Sequence, residues 1–238
     1  MVVKMTINGT EVEVKEGGLC SLFTPPKPKK RLVNEWGDAP TEVDTTEPIF
    51  PSAKDVELVV GVSDKEKTTL IASLTAKEQS VIAFLGVTLS LRVTRVAVED
   101  FSEKLTEVRL EGVIDTPRVT QSTTPTTLSE TLLEGSQTAE GRIVIKPGAS
   151  EEVTGMIGGL YVTNGKVVED RRPVELKVLV RAKSDTLWSA YDRVTTALFA
   201  PLTMVEGVPA EYRSSSTTAL DLYGEDFFWE LDINLLTL

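Results

Sequence analysis

The 238-residue chain contains no histidine and a single cysteine, Cys20. Without histidine, the Ser-His-Asp and Cys-His mechanisms and most transition-metal sites are excluded. An enzyme built from this chain would have to rely on carboxylates, lysine or tyrosine. One cysteine excludes a disulfide framework and a cysteine zinc cluster, and leaves the redox compartment open. Cys20 reads as a small apolar filler. Basic charge is also scarce, with 25 Lys and Arg against 36 Asp and Glu for a net charge of -11. The averaged surface field therefore repels phosphate, and sequence-specific nucleic-acid binding is not expected. No apolar run approaches the ~18 residues of a membrane span, and the start has no continuous apolar stretch of signal-peptide type. The chain is expected to be soluble, without a Sec-type address.

No Walker loop, Rossmann glycine fingerprint, nucleophile elbow or zincin motif is present. Gly155, Gly158 and Gly159 cluster outside any strand-turn-helix context and read as a flexible loop. Asp221 with Glu225 or Asp226, near Tyr223 and Trp229, has the residue types of a glycosidase pair around a stacked sugar. Among this many acids such a grouping is expected by chance. Calcium held by carboxylates is chemically open, but no EF-hand spacing occurs. No catalytic, cofactor or metal site is expected.

What is present is β pattern. Val3, Met5 and Ile7 alternate with polar neighbours, Asn8-Gly9 follows, and Val12 and Val14 alternate again, which predicts a hairpin with a type I′ turn. Val56, Leu58, Val60 and Val62 share one parity, as do Val174, Leu176, Val178 and Val180. Strand character recurs over Thr88 to Val98, Glu107 to Ile114, Arg142 to Lys146, Met204 to Tyr212, Thr218 to Tyr223 and a closing Phe227 to Leu235. Leu160 to Val168 carries a second Asn-Gly hairpin at Asn164-Gly165. Thr75-Ala76-Lys77-Glu78 has the form of a capping box and favours a helix from about Ala76 to Leu85, although Thr68 to Leu74 and Val81 to Leu85 read equally well as strands. The clearest helix spans Ser184 to Phe199, capped by Ser184 or Asp185 and stopped by Ala200-Pro201. Its apolar stripe contains Trp188, Tyr191 and Leu198. These residues, with Trp229 and Leu231 of the closing strand, are the candidate core anchors.

The segment from about 22 to 52 begins Leu22-Phe23-Thr24-Pro25-Pro26-Lys27-Pro28-Lys29-Lys30-Arg31. Its three prolines exclude helix and central strand and predict an extended, exposed arm with Trp36 as its anchor. Lys27, Lys29, Lys30 and Arg31 oppose the sign of the rest of the protein. They read either as a solvated loop face or as a docking arm for an acidic neighbour, such as another copy of this chain. Residues 117–141 are rich in Ser and Thr and read as a linker or exposed loop, the natural boundary between two units.

Asp55 to Val62 matches Pro173 to Val180 at five of eight positions, 118 residues apart, close to half the chain. The order of elements after each strand also agrees, as expected for a tandem duplication. The expected fold is mainly β (α+β): two tandem antiparallel β-barrel or sandwich domains of about 110 residues, 1–116 and 142–238, the second with one flanking amphipathic helix.

The stretch Val174 to Leu238 resembles the tail-tube-like domain of phage distal tail proteins and their relatives among tail-tube, baseplate-hub and injection-system proteins. The resemblance is carried by strand Val174-Glu175-Leu176-Lys177-Val178, the helix opened by Lys183-Ser184, then Ala200-Pro201-Leu202. Glu211-Tyr212-Arg213-Ser214-Ser215 and the closing Phe228-Trp229-Glu230-Leu231-Asp232-Ile233 complete it. Ile7-Asn8-Gly9 and Leu22-Phe23-Thr24-Pro25-Pro26 are similar to the first half of such proteins, whereas the connecting helix of that half is weak. The resemblance implies a compact β domain with one flanking helix, a location in the virion tail, other tail or baseplate proteins as partners, and protomers arranged in a ring around a DNA channel. The ring would be a homo-oligomer, a hexamer or a pseudo-hexameric trimer with two domains per chain. An acidic lumen would let DNA slide without binding. The competing reading is a pair of β-sandwich modules for carbohydrate binding or adhesion, with Trp36, Trp188 or Trp229 as a platform. The periodicity that buries Trp188 and Trp229 weighs against it.

Overall fold

The computed structural model describes residues 3–15, 17–29, 49–100, 105–133, 139–147, 161–163, 166–168, 173–205 and 207–237. The first half runs β1 (Val3–Ile7), β2 (Thr10–Val14), α1 (Cys20–Phe23), β3 (Lys54–Ser63), α2 (Asp64–Ala76), β4 (Ser80–Phe84), β5 (Val87–Asp100) and β6 (Leu105–Ile114). The second runs β7 (Thr126–Thr127), α3 (Glu130–Leu133), β8 (Ala139–Pro147), β9 (Tyr161–Thr163), β10 (Lys166–Val168), β11 (Pro173–Lys183), α4 (Leu187–Leu198), β12 (Thr203–Val205), β13 (Val208–Tyr223) and β14 (Asp226–Thr237). The fold is mainly β. Six strands of the first half close into a barrel in the order β1-β2-β3-β6-β5-β4, and the second half forms a six-stranded sheet in the order β7-β12-β13-β14-β11-β8. No helix among the described residues is long and apolar enough to cross a membrane.

The two halves share one plan. In each, a long strand is followed by a helix and a three-stranded meander whose last strand returns antiparallel to the first. Their registers correspond as well. Val56 faces Gly112, which faces Val93; Val174 faces Leu235, which faces Tyr212. The residue after Val93 and the residue after Tyr212 are each bulged out of the ladder, so a bulge occupies the same site in both sheets. A bulge bends and twists a strand locally and rarely recurs in register by accident of strand pattern. The 118-residue sequence match is thus also a match of topology, register and irregularity.

Asn8 and Gly9 have φ of 52° and 86°, as the type I′ turn between β1 and β2 requires. The Asn8 side chain accepts from the backbone N–H of Val81 at 2.9 Å and donates to the Ser73 and Ser80 hydroxyls, joining this turn to α2 and β4. In the second Asn-Gly hairpin, β9 and β10 pair antiparallel, and the turn residues lie outside the described residues.

The expected helix over Ala76 to Leu85 is corrected. The helix is α2, over Asp64–Ala76, and Ser80–Phe84 is strand β4. The helix starts after Ser63, whose hydroxyl donates to the Glu66 carboxylate at 2.9 Å without capping a backbone N–H, and Asp64 and Glu66 sit in the positive first turn. Thr75, offered as a cap, instead bonds back to the carbonyls of Ile71 and Ala72 from the last turn. The second helix is shorter than expected: α4 spans Leu187–Leu198, and its cap position is Thr186, which makes no side-chain capping bond, in place of Ser184 or Asp185. Residues 117–141 are partly built into the second half. β7 pairs parallel with β12, Leu128 and Leu133 are buried, and α3 packs beside β8. Where β1 closes the barrel, this short strand and helical turn occupy the corresponding end of the second sheet.

The two halves share a continuous apolar core. α4 buries eight residues because it lies between its own sheet and the first half, whereas α2 buries only Leu70 and Leu74. That difference accounts for the strong apolar stripe of one helix and the weak stripe of the other.

Candidate functional site

The arm is the first place where the expectation changes. Leu22 and Phe23 lie in α1 and are buried, and Pro25 and Pro26 are buried as well, so this part of the arm is neither exposed nor wholly extended. Proline ends α1 without preventing it, since the helix finishes before Pro25. Phe23 sits at the centre of an aromatic cluster, with ring centroids 4.4 Å from Trp188, 5.7 Å from Tyr191, 6.1 Å from Phe84 and 6.3 Å from Trp229. The backbone that follows is tied to the second sheet. The Tyr212 hydroxyl lies 3.1 Å from the Pro26 carbonyl and 2.7 Å from the Ser215 hydroxyl, and the Thr217 N–H donates to the Thr24 hydroxyl at 3.0 Å. Burial pushes the Tyr191 and Tyr212 phenols well above their ordinary range, so both stay neutral.

The core anchors meet in this interior. Trp188, Tyr191, Leu198, Trp229 and Leu231 are all buried. Trp188 Nε1 donates to the Phe84 carbonyl at 2.9 Å across the two halves, and Trp229 Nε1 donates to the Thr217 hydroxyl at 3.1 Å. Neither ring is available as a sugar platform. Arg118 forms a two-pronged pair with Asp192 on α4, and its guanidinium lies 5.8 Å from the Trp188 ring, which fastens the end of the first half to the helix of the second.

Lys54 is the unexpected member of this interface. It is 6% exposed, donates from Nζ to the Leu22 carbonyl at 2.6 Å and stands 5.5 Å from the centre of the Tyr191 ring. Removal from water lowers its pKa to about 7. Its sequence signal was faint, since a lysine at the start of a strand reads as surface.

Beyond Pro26 the arm reaches the surface. Pro28 pairs with Pro51, the Lys29 N–H donates to the Phe50 carbonyl at 2.7 Å and the Ser52 N–H to the Lys27 carbonyl at 2.8 Å. This antiparallel register sets Lys29 across from Phe50 and Lys27 across from Ser52, so Lys27, Lys29 and Phe50 share one face. Lys27 and Lys29 are exposed, and Phe50 is 55% exposed. Lys30, Arg31 and Trp36 lie outside the described residues, as do Gly155, Gly158 and Gly159.

A second surface lies at the tip of the β13–β14 hairpin. Tyr223, 67% exposed, and Phe228 stack edge to face with centroids 5.6 Å apart. Arg181 reaches Asp226 at 2.7 Å and lies 5.9 Å from the Phe228 ring. Beside the tip, a groove of about 390 Å³ between the first hairpin and β13 is floored by Val14, Leu19, Leu222 and Phe227. Cys20 is half-buried nearby, and burial, with Asp221 adding to it, pushes its thiol up. Asp226 is engaged by Arg181 and Trp229 points inward, so the acids around Tyr223 do not flank an exposed tryptophan ring. Tyr223 and Phe228 were legible only as aromatic residues at the outward parity of otherwise alternating strands. Among the described residues, no group of three metal-ligating side chains comes together.

No protein-family model, no curated protein and no solved structure matches this chain.

Proposed function

We propose that the chain is a non-enzymatic structural subunit of a phage, prophage or related injection-system tail, assembling with copies of itself into a ring around the DNA channel. The observation that carries this reading is the internal repeat. Two β units built on a four-strand set of the same order, register and bulge position sit in one chain, each with a helix after its first long strand. A chain with two equivalent units can occupy two equivalent places in a ring, so a trimer of such chains supplies six. The sequence resemblance of Val174 to Leu238 to tail-tube-like domains supplies the biological setting. The net charge of -11 suits a channel through which phosphate must slide without sticking. Burial of Trp188 and Trp229 takes weight from the carbohydrate-binding alternative.

Mass measurement in solution combined with negative-stain microscopy tests the reading. Closed rings with three or six chains and an open centre are the expected outcome. A strict monomer at the highest concentration reached, alone and with neighbouring tail proteins, refutes it.

A further inference from the structure

We infer that copies of this chain join head to tail, the Lys27–Lys29–Phe50 face of one protomer seating on the Tyr223–Phe228 tip of the next. The inference rests on the self-assembly reading above and names its contact. Phe50 and Tyr223 are the two most exposed large apolar side chains among the described residues, at 55% and 67%. Single exposed aromatics are ordinary, but Tyr223 ends β13, whereas Phe50 belongs to the ribbon that leaves the same strand at Tyr212. The Tyr212 end of β13 holds Pro26, from which the Lys27–Lys29 ribbon continues, and Tyr223 ends the same strand. Tyr212 and Tyr223 are nine ladder steps apart once the two bulges between them are counted, roughly 30 Å at about 3.3 Å per step.

Their charges are opposite. The ribbon face presents Lys27 and Lys29. At the tip Arg181 and Asp226 pair with each other, and Asp185, Asp221 and Glu225 outnumber Lys183. A basic face with one aromatic at one end and an acidic tip with an aromatic pair at the other are complementary to each other, and neither is complementary to itself. Such a pair makes a heterologous contact, which closes into a ring or runs on as a filament according to the rotation between protomers. Proline on the ribbon and the hairpin turn at the tip fix both backbones before contact, which limits the ordering cost of association. Opposite potentials at the two ends also favour the head-to-tail encounter over head-to-head or tail-to-tail.

The test uses two variants of the full chain altered only at exposed positions: Phe50→Ser with Lys27→Ser, and Tyr223→Ser with Glu225→Ser. Circular dichroism and thermal melting verify that each folds as the parent does. Sedimentation velocity is expected to show association weakened tenfold or more in each variant alone. An equal mixture of the two is expected to form dimers and nothing larger, because each pair retains one intact junction. Rings formed equally well by parent and variants overturn this contact and leave the ring reading standing. Open filaments lost in both variants support the contact and overturn the ring. A mixture that stays monomeric shows that the two surfaces do not meet and overturns the inference, and a monomeric parent overturns both.

Discussion

Replacing Lys54 by methionine should stabilise the protein near neutral pH and destabilise it in alkali. Lys54 is 6% exposed, and among the described residues it has no ion-pair partner; its amine is satisfied by the Leu22 carbonyl and the face of Tyr191. Burial lowers its pKa from an ordinary 10.5 to about 7. At about 1.4 kcal/mol for each tenfold change in proton affinity, the native state gives up about 5 kcal/mol when this amine is charged. The sign follows from proton linkage. Between pH 7 and 10.5 the unfolded chain binds more protons at this site than the folded one, so stability contributed by the site rises with pH across that window and is lost as pH falls through about 7. Methionine of similar length removes the titration but leaves the Leu22 carbonyl without its donor, at a cost of about 1–3 kcal/mol. The variant is therefore expected to be more stable than the parent by about 2–4 kcal/mol near pH 6 and less stable by about 1–3 kcal/mol near pH 10.5. Urea denaturation of both proteins across this range isolates the site, because other titrating groups are common to the two. An offset between parent and variant that stays constant with pH would refute the reasoning.

Phe23→Ala removes the ring common to four aromatic contacts at the junction of the halves and should cost about 3–5 kcal/mol by calorimetry or chemical denaturation; a loss below about 1 kcal/mol would show that α1 does not hold the halves together. Gly141→Ala drives a methyl group into the Leu133 side chain, so it should displace α3 at a cost of about 1–3 kcal/mol. Faster amide exchange over residues 126–133 is the readout, and unchanged exchange there would show that α3 yields without cost.

Much of the β framework was written locally. Alternation at Val56 to Val62 and Val174 to Val180 has a period of two whatever surrounds it, and Asn8-Gly9 specifies its turn through backbone geometry alone. Ser63-Asp64-Lys65-Glu66 and Thr75-Ala76-Lys77-Glu78 both have the form of a helix start, and tertiary pairing of Ser80–Phe84 with β5 and β1 decides between them. The proline-rich arm was misjudged for a related reason. Proline forbids regular hydrogen bonding along the arm but does not forbid burial, and the Pro26 carbonyl finds its donor in Tyr212, 186 residues further along the chain.

The sequence by itself determined the β periodicity, the repeat, the inward parity of Trp188 and Trp229 and the acidic balance, because each depends on residue type and spacing along the chain. Only the tertiary structure decided that the repeat extends to a shared bulge, that α1 inserts Phe23 between the halves, that Lys54 is sealed beneath it, and that Phe50 shares an exposed face with Lys27 and Lys29. These features arise between residues far apart in sequence, where no local pattern records which surface will meet which.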